Sequence, residues 1–191
     1  MTMSKDGMTM ITTLNKTTSL RQARQGRSQN RLTLYEAHKR GNDWQEFAEI
    51  PFAKGDFSIT HPSLSADGNM LFFVSDKPGG EGGTDIYLSR KQAGGWSDPE
   101  NLGSRINSAG NELFPFYHPS GKLYFSSDGH GGMGGTDIFY SIFDGQWSTP
   151  AALPAPLNSA HDDFSCFIYN DELSGIFASN RDGNDNLYHF A

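Results

Sequence analysis

Hydrophobic positions along the chain form short runs that are separated by segments rich in glycine, aspartate and asparagine. The runs at 71–74 and 123–125 are apolar and aromatic throughout, as expected of strands that are covered on both faces. Asp67-Gly68 and Ser120-Gly121 precede these two runs, and both dipeptides suit tight turns that need a positive φ. The pattern therefore predicts many short antiparallel strands rather than helices.

The runs belong to three phrases that recur in a fixed order. One phrase opens with a tryptophan and returns at a nearly constant spacing of about 50 residues, at Trp44, Trp96 and Trp147. The second, of the type Leu-Tyr-Phe-Ser-Ser-Asp, stands at 71–76, 123–128 and 175–180, with a worn copy at 10–15. The third, Gly-Gly-Thr-Asp-Ile followed by an aromatic residue, stands at 82–87 and 134–139, with weaker copies at 185–188 and 32–35.

Each copy reads as four short strands, here called A to D in chain order, and repeats of this length are typical of β-propeller blades. We therefore predict an all-β fold, a β-propeller of four-stranded antiparallel blades in one domain over 1–191. The expected blades lie at about 1–58, 59–112, 113–163 and 164–191. The alternatives are a β-sandwich with chance similarity, which would not repeat a tryptophan at constant spacing, and a β-solenoid, whose repeats are usually shorter.

The two ends of the chain bear on how such a propeller closes. The first copy holds only part of its innermost strand, and the fourth ends after its third strand. Either four blades close imperfectly or the chain is a portion of a larger propeller, and we expect the second.

Strand direction places the B–C loops and the links between blades on the same face, the loop face, which carries the unusual segments. Binding residues are commonly found on loops that a rigid scaffold positions. Aspartates bracket each Gly-rich loop, two acidic residues stand at matching places where strand A begins, and a basic insertion spans 16–31. The candidate binding residues on this face are Asp76, Asp85, Glu112, Asp128, Asp137, Asp163, Arg21 and Arg24.

The residue types in these segments also bear on phosphate binding, metal binding and nucleophilic chemistry. The Gly-rich loops lack the Lys-Ser/Thr of a phosphate loop. Their aspartate pairs could hold calcium, but the spacing matches no calcium-binding repeat, and turn capping is the commoner role. The histidines show no zinc spacing, and Cys166 falls on a predicted inner strand, where a buried thiol is inert. We expect no catalytic residues, no metal and no cofactor, with calcium as the alternative.

Composition narrows the partners. The chain has 191 residues, a formal net charge of −7 and one cysteine, and an acidic chain is poorly suited to neutralising nucleic-acid phosphates. No run approaches the ~20 apolar residues of a membrane helix, and residues 1–7 lack the apolar core of a signal peptide. We therefore expect neither a nucleic-acid partner nor a transmembrane segment in this chain.

Two stretches resemble a known family. The sequence at 115–128, followed by 131–139, resembles the WD-repeat-like β-propeller repeats related to TolB. Its Gly-Gly-Met-Gly-Gly loop with Trp-Ser-x-Pro after it is similar to propellers in OmpA-family envelope proteins of Bacteroidetes-type bacteria. The resemblance covers nearly the whole chain and is closest over 59–163. It implies a periplasmic or outer-membrane-associated scaffold that contacts other envelope proteins or envelope polymers.

The combined expectation is a non-enzymatic binding or scaffold module of the bacterial cell envelope that makes its contacts through the loop face. The alternative is a propeller glycosidase or lyase acting on polysaccharide, which needs two carboxylates at the channel mouth. Its candidates are Glu112, Asp162, Asp163 and Asp56. A third hypothesis is a fragment whose exposed blade edges self-associate.

Overall fold

The computed structural model describes residues 1–15, 31–53 and 55–191. Within these ranges the regular secondary structure consists of β-strands only, which confirms the all-β prediction. The strands are β1 (Thr2–Met3), β2 (Thr9–Asn15), β3 (Leu32–Arg40), β4 (Asp43–Glu49), β5 (Ile59–Leu64), β6 (Met70–Ser75), β7 (Asp85–Gln92), β8 (Gly95–Trp96), β9 (Glu100–Asn101), β10 (Glu112–Tyr117), β11 (Lys122–Ser127), β12 (Asp137–Ile142), β13 (Ala151–Ala152), β14 (Asp163–Ile168), β15 (Gly175–Ser179) and β16 (Asn186–Phe190).

The strands form four small antiparallel sheets in a propeller arrangement, as predicted. Blade 1 consists of β1–β4, blade 2 of β5–β9, blade 3 of β10–β13 and blade 4 of β14–β16. In each blade the strands follow one another from the innermost strand outward. The outermost strand of blade 2 is interrupted, since β8 and β9 both pair with β7 on either side of Pro99. Proline cannot donate to the ladder, so it is tolerated at such an edge.

Three apolar layers between neighbouring blades form the core. Alternate residues of one strand serve different layers: Leu71 and Phe73 of β6 pack toward blade 1, whereas Phe72 and Val74 pack toward blade 3. All four side chains are buried, and burial of a phenylalanine contributes about 2–3 kcal/mol. This two-sided burial explains why the strand is apolar at every position rather than at every second one.

Blade 4 has one covered face and one open face. Cys166, Ile168 and Phe177 pack against blade 3, whereas Leu187, which holds the same place as the fully buried Ile138 of blade 3, is 75% exposed. The predicted blade boundaries stay predictions, and so does the hypothesis that the chain is a portion of a larger propeller. The described part of the chain contains no helix that could span a membrane.

Candidate binding site

The predicted candidates on the loop face are used to tie neighbouring strands and links together. Glu112, at the start of β10, is fully buried. Its carboxylate accepts hydrogen bonds from the Ser108 backbone N–H at 2.9 Å, the Ser108 hydroxyl at 2.6 Å and the Ser127 hydroxyl at 2.8 Å. A buried carboxylate with three donors holds the preceding link in place.

Asp163 occupies the matching position in blade 4 and is also fully buried. Its oxygens accept from the N–H and hydroxyl of Ser159, at 2.6 and 2.8 Å, and from the Arg181 guanidinium at 2.5 Å. Burial alone would raise the pKa of Asp163, but hydrogen bonds from Ser179, Arg181 and Ser159 outweigh it and hold the pKa below its usual value. The carboxylate is therefore ionised and internally neutralised.

The aspartates that follow strand B receive bonds from the same links. The Asp76 carboxylate accepts from the Ser58 N–H at 2.6 Å. The Asp128 carboxylate accepts from the backbone N–H and side-chain amide of Asn111, at 2.6 and 2.9 Å. In blade 4 the two roles are exchanged: Asp162 of the preceding link supplies the carboxylate, and Asn180, which follows strand B, supplies the amide.

The aspartates that end the Gly-rich loops are buried against loop amides. Asp85 accepts from the N–H groups of Glu81 and Gly82, at 2.9 and 3.2 Å, and from the Asn101 side chain at 3.2 Å. Asp137 accepts from the Gly134 N–H at 3.0 Å, and its Oδ1 is buried with no hydrogen-bond partner among the described residues. Both loops pass so close to their aspartate that a Cβ on Gly80 or Gly132 would overlap the carboxylate.

These six side chains do not converge on one open site. They lie along successive blade boundaries, each in intramolecular hydrogen bonds, while Arg21 and Arg24 lie outside the described residues. The prediction that this face binds a partner stays a prediction. In the described part of the chain no three His, Cys, Asp or Glu side chains cluster as metal ligands would, and the calcium alternative stays a prediction.

A second region, which sequence reasoning missed, lies at the centre of the propeller. The innermost strands β5, β10 and β14 each change register at a bulge. His61, Phe114 and Ser165 hold the equivalent bulge position and have φ values of 48°, 49° and 52°. Residues other than glycine rarely adopt this left-handed backbone conformation, and such strain clusters where ligands bind.

The three bulge residues line a central cavity of about 960 Å³ that is bounded by the first residues of the chain, the innermost strands and the open face of blade 4. Six of its described lining residues carry aromatic or imidazole rings, namely His61, Phe114, Phe116, Tyr117, Phe167 and Tyr169. The His61 and Phe114 rings stack with centroids 4.0 Å apart, and Phe114 stacks on Phe164 at 5.7 Å. Phe116 contacts Phe167 at 5.0 Å.

The described lining of the central cavity has no negative charge, and its positive charges are those of Lys5 and of the amino group of Met1. Lys5 is its one permanently charged side chain among the described lining residues, and no carboxylate lines it. Burial, reinforced by the positive charge at the chain's amino group, lowers the pKa of His61 to about 4, so this ring is neutral at pH 7. In a chain of net charge −7, such a lining favours uncharged and apolar ligand groups.

A signal for the bulges was present in the sequence. Pro62 and Pro115 follow His61 and Phe114 inside inner strands, and proline within a sheet marks an edge or a bulge. Blade 4 has Cys166 at this place and still bulges, so the proline signal finds two of the three. Cys166 itself is buried, as predicted, and burial raises the pKa of its thiol to about 12.

Comparison with known proteins places the fold. The chain superposes on TolB from Acinetobacter baumannii with a TM-score of 0.60 and 15% identity, over 98% of this chain and 39% of TolB. It matches prolyl oligopeptidase B from Galerina marginata with a TM-score of 0.54 and 10% identity, over 100% of this chain and 25% of that one. An endo-arabinase from Bacteroides thetaiotaomicron matches with a TM-score of 0.52 and 16% identity, over 84% and 65% of the two chains.

These similarities establish the β-propeller fold, which includes TolB. The chain spans less than half of TolB and a quarter of the oligopeptidase. No family model and no curated protein matches the sequence.

The comparisons also overturn one prediction. We expected a chain that is not an enzyme, but the same fold serves an endo-arabinase and a prolyl oligopeptidase. That prediction is wrong as a conclusion from the fold, because these propellers match the chain about as well as TolB does. Of the four carboxylates proposed for polysaccharide cleavage, Glu112 and Asp163 are fully buried, and Asp162 accepts hydrogen bonds from Thr136 and Asn180. Asp56 is exposed and lies outside the cavity wall.

Proposed function

We propose that this chain is a binding module that receives an extended, largely uncharged segment of a partner protein in its central cavity. The observation that carries the proposal is the three left-handed bulge residues, which come together on one aromatic wall of a cavity of about 960 Å³. That volume lies at the upper end of the range typical of ligand sites. Rigid aromatic surfaces are also enriched where proteins bind other proteins.

The central cavity is favoured over the loop face because its side chains are available. On the loop face the described candidates already accept internal hydrogen bonds, and turning the buried carboxylates of Asp85, Glu112, Asp137 and Asp163 toward a ligand would leave their donors unpaired. In the cavity, Phe167 is 49% exposed and Tyr169 is 40% exposed. The earlier prediction of contacts through the loop face therefore takes second place in the proposal.

The partner is proposed to be another protein of the bacterial envelope, in the periplasm or at the outer membrane. This part rests on the resemblance of residues 115–139 to TolB-related and OmpA-family repeats. Fractionation of the host with an antibody to the chain tests it. Recovery in the periplasmic or outer-membrane fraction supports the location, and recovery in the cytoplasmic fraction contradicts it.

The binding proposal is tested by selecting short random peptides against the protein and measuring their affinity for three forms. The Phe167→Asp variant places a charge in the cavity, and Ile142→Asp, a similarly exposed apolar residue on β12 outside the cavity wall, is its matched control. We expect the cavity variant to weaken peptide binding at least ~10-fold, or 1.4 kcal/mol, and the control to bind normally. Equal binding by all three forms, or a selection that yields no peptide tighter than ~100 μM, contradicts the proposal.

A further inference from the structure

A second pocket, of about 500 Å³, lies between blades 2 and 3 and shares only Tyr117 with the described lining of the central cavity. Its apolar floor is formed by Phe72, Leu88 and Leu102, and Trp147 and Tyr117 stand on its wall. The rings contact one another: Phe72 stacks on Tyr117 with ring centroids 4.7 Å apart and meets Trp147 edge-on with centroids 6.2 Å apart. The size suits a small organic molecule.

The corresponding boundary between blades 1 and 2 shows what such a pocket accepts. There the Trp96 indole N–H donates to Glu36 at 3.0 Å, and Lys91 pairs with the other oxygen of Glu36 at 3.1 Å. Lys91 also lies over the Trp96 ring, 4.6 Å from its centroid. A carboxylate of the protein thus occupies the place beside the tryptophan and is neutralised by a cation.

The repeat places a different residue at the equivalent position between blades 2 and 3. Glu36 lies opposite Ile11 in the β2–β3 ladder, and Leu88 lies opposite Phe72 in the β6–β7 ladder, so Leu88 takes the place of Glu36. Trp147 is the counterpart of Trp96, but no hydrogen bond of its indole N–H is formed within the described part of the chain. The carboxylate is missing while the donor is kept.

Phe143 takes the place of Lys91 at this boundary, and positive charge is supplied instead by two arginines. Arg90 and Arg105 line the pocket and form no ion pair among the described residues, although Glu100 also lines it. Burial and the negative charge of Asp67 raise the pKa of the Tyr117 phenol, and the nearby Arg90 opposes them. Two guanidiniums against one carboxylate give the pocket a net positive lining.

We propose that this pocket binds a small aromatic carboxylate, whose carboxyl group takes the place that Glu36 holds at the neighbouring boundary. The ring lies on the apolar floor, and the carboxylate accepts from the Trp147 N–H and pairs with Arg90 and Arg105. Charge-assisted hydrogen bonds of this kind are stronger than neutral ones. A neutral ligand of the same shape keeps the ring contacts and loses the pairing.

The probe is 3-phenylpropionate, with 3-phenylpropionamide as its neutral control. The N–H signals of Trp44, Trp96 and Trp147 are followed by ¹H–¹⁵N NMR and assigned with single Trp→Phe variants. We expect the acid to shift the Trp147 signal in a saturable way and to leave the Trp96 signal unmoved, because Trp96 is already paired with Glu36. The amide should bind at least ~10-fold more weakly.

Two variants locate the charge. Arg90→Gln with Arg105→Gln should weaken the acid at least ~10-fold and leave the amide unchanged, and both residues are exposed, so folding should be preserved. Leu88→Glu should close the site to the acid by restoring the internal carboxylate, with melting temperature checked because Leu88 is buried. The proposal is overturned if Trp147 does not respond up to ~10 mM, if acid and amide bind equally, or if the arginine variant binds the acid as the natural sequence does.

Discussion

The loop face and the central cavity are built by the same repeats but use opposite chemistry. On the loop face, acidic residues recur at matching positions, as in Glu112 and Asp163, and each is buried in hydrogen bonds to its own link. At the cavity, the equivalent bulge positions hold three different residues, His61, Phe114 and Ser165. We therefore propose that the acidic positions shared by blades 3 and 4 hold those blades together, whereas the bulge positions, which differ between blades, are available to recognise a ligand.

The largest effect is expected from Asp163→Ala, which tests whether the loop-face carboxylates are structural. If the carboxylate is structural, its removal leaves the Arg181 guanidinium and the Ser159 donors without their partner, and we expect a loss of about 3–5 kcal/mol in the free energy of unfolding. Urea denaturation measures it. A loss under ~1 kcal/mol, with peptide binding abolished, would instead make Asp163 a binding residue.

The next largest effect concerns the exchanged amide–carboxylate pairs. Asn111→Asp alone sets a second carboxylate beside that of Asp128, whereas Asn111→Asp with Asp128→Asn reproduces the arrangement that Asp162 and Asn180 adopt. We expect the single variant to lose about 2 kcal/mol and the double variant to recover most of it. Denaturation of all forms gives the coupling energy, and additive losses would contradict the equivalence of the two links.

The cavity gives a pH-dependent prediction. Since burial lowers the pKa of His61 to about 4 in the folded state, against about 6.5 when unfolded, the unfolded chain binds the extra proton. The contribution of neutral His61 to the free energy of unfolding should be fully present above about pH 6.5. It should fall as pH drops toward 4, by about 1 kcal/mol between pH 7 and 5 after solvent screening. His61→Gln should flatten this part of the stability curve, measured by urea denaturation. An unchanged slope would mean that His61 is not desolvated.

The smallest expected effect sharpens the comparison between the two Gly-rich loops. Ala152 stands where Asn101 donates to Asp85 in the neighbouring blade, and Asp137 Oδ1 lacks a partner in the described structure. Ala152→Asn should add about 0.5–1 kcal/mol of stability by supplying that donor. Asn101→Ala is the reciprocal control and should destabilise by a similar amount. A melting temperature unchanged by Ala152→Asn would show that Asp137 is already satisfied.

Much of the fold was predictable because it is encoded locally and repeatedly. Alternate faces of β6 are both buried, so the apolar run at 71–74 carried the information about two-sided packing. The recurring Trp96 and Trp147 fixed the length of the unit. Turn signals at Asp67-Gly68 and Ser120-Gly121 then fixed the direction of each strand.

The candidate site was less predictable because it depends on pairings between distant residues. The hydrogen bonds of Asp163 with Arg181 and of Asp128 with Asn111 join separate segments, so the sequence showed the carboxylates but not that they were engaged. The bulges depend on the register between strands, which the pattern of side chains does not specify at single-residue precision. Only the prolines after His61 and Phe114 pointed to them.

The most direct test of the central claim is hydrogen–deuterium exchange of the protein with and without a saturating selected peptide. If the cavity is the binding surface, protection should increase in β5, β10 and β14 around the bulges, while the loops at 76–85 and 128–137 keep their exchange rates. Protection confined to those loops, with the inner strands unchanged, would contradict the account and return the binding function to the loop face.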